Sequence, residues 1–208
     1  MIFYKVNEIF YSLQGEGLYA GSPAVFVRFS GCNLKCDFCD TDFSSYRLMT
    51  SSSICDEVAK LLPSTSPKEK IAKGDDRTRA KSPMVVLTGG EPALQVDDKL
   101  VDDLHRVVRF VAIETNGTRV VPAGLDWVTC SPKEHVPLAG KTVLLIQRVD
   151  ELKVVYTGID VEPYLTIPAK RYSLQPCSML NVEETMKYVL EHPAWNLSLQ
   201  TQKILRIK

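Results

Sequence analysis

Three of the six cysteines fall within eight residues, in the run Cys32-Asn-Leu-Lys-Cys36-Asp-Phe-Cys39. The spacing is C-x3-C-x2-C. Thiolates are soft ligands that select zinc, copper(I) or iron–sulfur clusters. No fourth Cys or His stands close by in sequence, whereas a structural zinc site is normally closed by four protein ligands. A [4Fe–4S] cluster held by three cysteines has one iron open to an exogenous ligand. By residue type alone, three readings stay open: a cluster, a zinc site, or three free thiols in a loop. Cys55, Cys130 and Cys177 stand apart and read as small buried hydrophobes. His105, His135 and His192 form no constellation.

Other residues add polar chemistry to this. Arg28 interrupts the apolar run VFVRFS. A buried Arg needs an anion, either a bound carboxylate or a structural Glu or Asp. Gln14, in Gln-Gly-Glu-Gly, carries an amide with donor and acceptor together; the same four residues also read as a hairpin turn. Thr88-Gly89-Gly90-Glu91-Pro92 is weak alone, since a Gly-rich turn capped by Pro at a helix start looks the same.

The elements that must position these residues alternate. Val25–Phe29 is a β-type run. Ile54–Leu62 reads as a helix, and Met84–Leu87 as a buried strand. Asp98–Val108 places Leu100, Leu104, Val107 and Val108 on one helical face. Phe110–Ile113, Trp127–Thr129, Leu152–Tyr156 and Tyr172–Leu174 follow as strands. Val182–Leu190 reads as a helix, with Asn181 as N-cap, Glu184 at N3, and Val182, Met186, Val189 and Leu190 inward. Leu197–Leu199 is the last strand. Strands alternating with helices give a mainly parallel sheet. The motifs GCNLKCDFC, TGGEP, ETNG, CSPK and LQPCS all follow strands, and in parallel α/β folds ligands bind at that edge. The length suits an α/β, incomplete, about six-stranded TIM-like barrel with an N-terminal β appendage; a full barrel takes about 250 residues. The chain reads as a single domain over 1–208, with 63–83, rich in charge and proline, as an exposed flexible loop.

The cysteine array after a first barrel strand, with Thr88-Gly89-Gly90-Glu91-Pro92 after a second, resembles the radical S-adenosylmethionine (SAM) superfamily. A narrower resemblance covers nearly the whole chain: Ile9-Phe10-Tyr11-Ser12-Leu13-Gln14-Gly15-Glu16-Gly17, Val27-Arg28-Phe29-Ser30-Gly31-Cys32, Cys39-Asp40-Thr41, Glu114-Thr115-Asn116-Gly117, Ser131-Pro132-Lys133, Leu174-Gln175-Pro176 and Leu199-Gln200-Thr201-Gln202-Lys203. Together they are similar to the 7-carboxy-7-deazaguanine synthase family. The resemblance implies a lyase that contracts 6-carboxy-5,6,7,8-tetrahydropterin to 7-carboxy-7-deazaguanine with loss of ammonia, in the queuosine and 7-deazapurine route that feeds tRNA modification. It implies a [4Fe–4S] cluster on Cys32, Cys36 and Cys39, SAM as a regenerated cofactor, and Mg2+ on Thr41, whose Cys-Asp-Thr setting also reads as a plain turn. SAM contacts are implied for Phe38, Cys39, Asp40, Gly90, Ser131, Pro132, Lys133, Gln175, Pro176, Cys177 and Ser178. Leu13, Gln14, Gly15, Arg28, Thr88 and the terminal carboxylate of Lys208 are implied on the pterin substrate. It further implies a homodimer and an electron donor such as flavodoxin. Two departures stand out: Gln202 replaces the usual His of the terminal motif, and Cys177-Ser178 is atypical. The alternatives are another radical SAM enzyme, such as a glycyl-radical activating enzyme, or a non-catalytic zinc-binding module.

Composition sets the outer bounds. The 208 residues carry 25 Lys plus Arg and 25 Asp plus Glu. Zero net charge argues against a bulk electrostatic grip on nucleic acid or membrane. No apolar run approaches ~18 residues, so no membrane span is expected. The N-terminus MIFYKVNEIF lacks a signal-peptide pattern, and clustered cysteines without export fit a reducing, cytoplasmic setting.

Overall fold

The computed structural model describes residues 2–39, 41–42, 44–63, 83–133, 145–146 and 148–208. The expected loop 63–83 lies outside the described residues except for its two terminal prolines. β1 (Tyr4–Leu13) and β2 (Pro23–Phe29) pair antiparallel, and β3 (Arg47–Met49) flanks β1. From β2 onward every neighbour is parallel: β4 (Met84–Gly89), β5 (Val111–Thr115), β6 (Trp127–Cys130), β7 (Glu151–Tyr156), β8 (Arg171–Pro176) and β9 (Asn196–Leu197). The order β3-β1-β2-β4-β5-β6-β7-β8-β9 winds one way and leaves both edges open. The result is the expected partial barrel: six parallel strands of four or more residues, a two-residue β9, and β1 with β3 as the appendage.

α1 (Ser51–Leu61) begins at Thr50, whose hydroxyl accepts from Ser53 N at 3.2 Å. α2 (Asp98–His105) begins at Asp97, which accepts from Leu100 N at 2.9 Å. Both are N-caps that satisfy otherwise orphan amides. They bury Ile54, Val58, Leu100 and Leu104 against outward-facing Val25, Val27, Phe29, Val85, Leu87, Val111 and Ile113. Each such side chain contributes about 1.5–3 kcal/mol on burial. α2 stops at His105 rather than Val108, because Val107 N and Val108 N both turn back to Leu104 O.

α3 (Val182–Glu191) departs from the sequence reading in two ways. Met186 and Leu190 point to solvent, at 44% and 76% exposure, and Thr185 is the helix's buried residue. The inward face is Thr185, Tyr188 and Val189, with Tyr188 fixed between Tyr156 and His192 at ring separations of 5.1 and 3.9 Å. Asn181 does not cap the helix with its side chain. Its Oδ1 accepts from Cys177 N at 2.8 Å and its Nδ2 donates to Tyr156 O at 3.0 Å, which spends the amide on the β8 turn.

The inner face of the sheet has two levels. Ala24, Met84, Val86, Phe110, Ala112 and Trp127, with Tyr19 and Phe26, fill the end where the strands begin. One period-2 step further along, the inward positions become Arg28, Thr88, Glu114, Lys153 and Gln175. Alternation thus turns one apolar set of each strand towards the helices, and on the inner face it replaces apolar residues by polar ones towards the strand ends, with β7 and β8 adding Glu151 and Ser173.

Candidate active site

The five inward polar residues line one cavity of about 840 Å³ at the strand C-terminal end. Cys32, Cys36 and Cys39 line it too, as do Phe38, Thr41, Gly90, Ser131, Lys133, Pro176 and Ser178. Leu13, Gln14, Gly15 and Lys208 complete the expected set. Pro132 and Cys177 sit in the right turns but not in the cavity wall: Pro132 is buried, and Cys177 N is tied to Asn181. Asp40 lies outside the described residues, as does His135.

The three thiols are unpaired. Burial pushes the Cys32 and Cys36 thiols up; the Leu34 amide, 3.4 Å from Cys32 Sγ, and the nearby Lys133 ammonium oppose it. Cys32 and Cys36 are half-buried and Cys39 is exposed, all three line the same cavity, and their thiol type suits a soft, multi-iron group. Cys55 and Cys130 are buried, and burial pushes the Cys130 thiol to about 12, so it behaves as a small hydrophobe.

Gly90 must be glycine because a Cβ there would overlap the Gly31 carbonyl oxygen. The backbone bonds Gly90 N to Phe29 O (3.0 Å) and Glu91 N to Gly31 O (2.9 Å) splice the TGGEP turn to the start of the cysteine loop. Glu91 is fully buried, and burial pushes its carboxyl up. It accepts from Ala93 N, Thr115 Oγ1 and Asn116 N at 2.9, 2.7 and 2.6 Å, joining the β4 and β5 turns.

Lys133 is not a solvated surface lysine. Its Nζ donates to Ser131 Oγ at 2.6 Å and lies 5.5 Å from the Phe38 ring centre. Burial, with Lys153 nearby, holds its ammonium below the usual lysine range. Arg28 is paired: Nε donates to Glu8 Oε1 at 3.0 Å, and the guanidinium lies over Phe10 at 5.7 Å. The structural partner is therefore present, and it aims an Arg that still lines the cavity.

Gln14-Gly15-Glu16-Gly17 is the first arm of the β1–β2 hairpin loop, whose tight turns lie at 17–22, and Gln14, Gly15 and Glu16 line the cavity. Gln14 N donates to Ser22 O and Gly21 N to Gln14 O, closing the β1–β2 loop at 2.8 and 2.7 Å. The loop crosses the inner face to reach the far edge of the sheet. Gly17 N donates to Ser198 Oγ at 2.9 Å, and Leu18 N to Glu151 Oε2 at 2.9 Å. At Gly17, φ is +67°, and a Cβ would lie 2.6 Å from Glu151 Oε2.

The sequence reading missed the charge network beneath this loop. Lys153 Nζ donates to Glu16 Oε2 at 2.6 Å and to Glu114 Oε2 at 2.8 Å, with the lysine side chain 5% exposed. Gln200 Nε2 and Gln202 Nε2 both donate to Glu16 Oε1 at 3.0 Å, and Gln14 Nε2 donates to Glu114 Oε1 at 3.2 Å. Burial pushes the Glu16 carboxyl up, but Lys153 and the two amides outweigh it and bring it to about 2. Burial wins at Glu114, which has one long amide donor and Glu16 as a like-charged neighbour, so its carboxyl is raised. Lys153 is held above its usual range because the two carboxylates outweigh its burial. A lone Lys inside an apolar strand, ELKVVY, is the signal that could have found the network.

Residues Thr201–Leu205 form α4, a helix that the sequence reading, which ended on the strand Leu197–Leu199, did not include. Thr201 N and Oγ1 both donate to Gly15 O at 3.0 and 2.9 Å, and the flanking Gln200 and Gln202 amides are drawn to Glu16. Those side-chain pulls bend the backbone out of the sheet after β9. Lys208 returns to β1: Ser12 Oγ donates to Lys208 O, and Lys208 Nζ donates to Glu8 Oε2, both at 2.6 Å.

Comparisons with known proteins agree with this geometry. A family model described as the Radical SAM superfamily matches residues 26–138. A 7-carboxy-7-deazaguanine synthase of Bacteroides thetaiotaomicron is 50% identical over 204 residues, covering 98% of each chain. One of Nitratidesulfovibrio vulgaris is 42% identical over 224 residues, covering 98% of this chain and 99% of its own. The crystal structure of QueE from Escherichia coli superposes with a TM-score of 0.73 at 26% identity, over 95% of this chain and 94% of that one.

Proposed function

The chain belongs to the 7-carboxy-7-deazaguanine synthase family of the radical SAM superfamily, and from that membership we propose that it contracts 6-carboxy-5,6,7,8-tetrahydropterin to 7-carboxy-7-deazaguanine with loss of ammonia. It is an enzyme, a radical SAM lyase, that works with a [4Fe–4S] cluster and SAM on a small-molecule substrate. The observation that carries this reading is one shared cavity, whose lining brings together the three thiols, Gly89 and Gly90, and Gln14, Arg28 and Thr88.

When bound, the cluster and SAM supply hydrogen-atom abstraction, and the chain's own residues bind, orient and exclude water. Cys32, Cys36 and Cys39 hold the cluster. Lys133, steadied by Ser131, offers an ammonium to the SAM carboxylate, with Phe38 beside it for the adenine. Gly90, Gln175, Pro176 and Ser178 complete that wall.

On the substrate side, Arg28 faces the pterin carboxylate. Glu8 and Phe10 fix its guanidinium, so little ordering cost remains on binding. Leu13, Gln14 and Gly15 present backbone and amide groups to the ring edge, above the Glu16–Lys153–Glu114 floor. Thr88 and Lys208 flank them. Thr41 lines the cavity next to the cysteine loop, and its hydroxyl suits Mg2+ completed by water and substrate oxygens. The hairpin loop reaches from β1 to Ser198 beside β9, and Thr201 of α4 is bonded to it, so both lie across the open side of the barrel.

The reading extends to setting and partners. No helix among the described residues is long and apolar enough to cross a membrane. Unpaired thiols fit a reducing cytoplasm. A small one-electron donor such as flavodoxin would supply the electron for the cluster, and a homodimer would be the working unit. The test is anaerobic incubation of the iron-loaded protein with carboxytetrahydropterin, SAM and a reductant. The expected mass-spectrometric signal is 7-carboxy-7-deazaguanine with equimolar ammonia; unchanged pterin would overturn the assignment.

A further inference from the structure

The segment carrying Cys32 and Cys36 has no helix or strand of its own, so something else must set its shape. Two side chains anchor it. Leu34 is buried at 6% exposure. The other anchor is Asn33, whose Nδ2 donates to Thr118 Oγ1 at 2.8 Å and whose Oδ1 accepts from Asn116 Nδ2 at 3.1 Å. Thr118 Oγ1 donates in turn to Asn116 Oδ1 at 2.7 Å, closing a three-residue ring.

Chemistry fixes every orientation in the ring. Asn116 Oδ1 accepts from Thr118 N at 3.0 Å, and a backbone N–H can only donate, so the Asn116 amide cannot be flipped. Its NH2 therefore faces Asn33, which must answer with oxygen and turn its own NH2 to the Thr118 hydroxyl. The ring is then tied back to its origin. Asn116 N donates to Glu91 Oε2 at 2.6 Å, and Glu91 N donates to Gly31 O at 2.9 Å, one residue before Cys32. The ends of β2, β4 and β5 meet in one closed circuit. Asn116 and Thr118 are 7% and 6% exposed, so a partner lost from them goes unreplaced by water.

We propose that Asn33 is a positioning residue for the iron–sulfur cluster: through the Asn116–Thr118 ring it holds the Cys32–Cys36 segment in its metal-binding shape before any iron arrives. This rests on the reading of Cys32, Cys36 and Cys39 as cluster ligands. Only an amide of this length both donates and accepts here. Ala leaves two buried groups unmet, and Asp can accept from Asn116 but cannot donate to Thr118. A site shaped in advance spares the cluster the cost of ordering its own loop.

The test compares the wild type with Asn33→Ala, Asn33→Asp, Thr118→Val and the Asn33→Ala/Thr118→Val double variant. One readout uses the iron-free protein: the alkylation rate of each thiol at Cys32, Cys36 and Cys39, resolved by mass spectrometry. The other follows iron release from the loaded protein to a chelator. Two neutral hydrogen bonds predict about tenfold faster alkylation and release for Asn33→Ala, and about a third to half of that effect, on a logarithmic scale, for Thr118→Val. The double variant should be no worse than Asn33→Ala, because the ring acts as a unit. Wild-type rates in Asn33→Ala, or fully additive losses, would overturn the proposal. If Asn33→Ala does not fold, Asn33→Asp decides the matter by the same two rates. A wild type that takes up no iron refutes the cluster assignment instead, while the alkylation rates still report on the ring.

Discussion

Lys153→Met removes one ammonium from between two buried carboxylates while keeping the length of the side chain. Glu16 and Glu114 are only 17% and 21% exposed at their side chains, so solvent cannot replace what is lost. Breaking a buried pair by deleting one partner costs about 3–5 kcal/mol. The Glu16 carboxyl, at about 2 against an ordinary 4.5, gives a consistent figure: at 1.36 kcal/mol per pH unit, its ionised form is favoured by about 3 kcal/mol. For a chain of this size that is a fall in Tm of roughly 6–20 °C. The protein can relieve the strain by protonating Glu114, whose carboxyl is already raised. A raised carboxyl in the folded state means that folding takes up a proton, so stability falls as pH rises above the unfolded value. The variant should therefore lose less stability at about pH 5 than at about pH 8. Adding Glu16→Gln and Glu114→Gln should restore most of the loss, since no unpaired charge remains. The assay is denaturant unfolding of all three proteins at both pH values. A Lys153→Met protein within about 1 kcal/mol of wild type, or an equal loss at both pH values, would refute the reasoning.

Four further outcomes follow from the same geometry. Cys32→Ala, Cys36→Ala and Cys39→Ala should each abolish full iron loading, whereas Cys55→Ala, Cys130→Ala and Cys177→Ala should leave four irons per chain, as measured by iron and sulfide analysis. Gly90→Ala should push the Gly31–Cys32 segment outward and lower iron retention severalfold, with full retention counting against the close approach of the two turns. Thr41→Val keeps the shape and removes the hydroxyl, so activation by Mg2+ should disappear; an unchanged Mg2+ dependence would exclude Thr41 as a ligand. In the wild type, the depressed Glu16 carboxyl stabilises the fold above pH 4.5 and loses that contribution as pH falls towards about 2, so acid unfolding followed by circular dichroism should begin below about pH 4.5 and shift upward in Glu16→Gln.

The strands and their motifs were legible because a parallel sheet buried on both faces leaves near-continuous apolar runs, as in MVVL. Arg28 was legible for the opposite reason, as a charge breaking such a run. Its Glu8 partner was less so: the contact is cross-strand, with Glu8 opposite Arg28 only in the β1–β2 register. The Lys153 network was missed for the same kind of reason. Its members come from the hairpin loop, β5, β7 and the α4 region, positions 16, 114, 153, 200 and 202, which no local pattern connects. The inward face of α3 was misread because Met186 and Leu190 fit a 3.6 period, yet the sheet takes the face one residue away, through Thr185 and Tyr188. The final strand was placed at Leu197–Leu199 against an observed Asn196–Leu197, and α4 after it was not legible because side-chain bonds from Gln200, Thr201 and Gln202 to Glu16 and Gly15 decide the backbone path there.

A cavity that held pterin, cluster and SAM together would let a hydrogen atom taken from the pterin return to the product and so regenerate SAM. The direct measurement is a count of 7-carboxy-7-deazaguanine and 5′-deoxyadenosine formed from a limiting amount of SAM under anaerobic, reducing conditions. The expected result is product in large molar excess over SAM, with little 5′-deoxyadenosine. One 5′-deoxyadenosine for each product, or cleavage of SAM with no product at all, would contradict it.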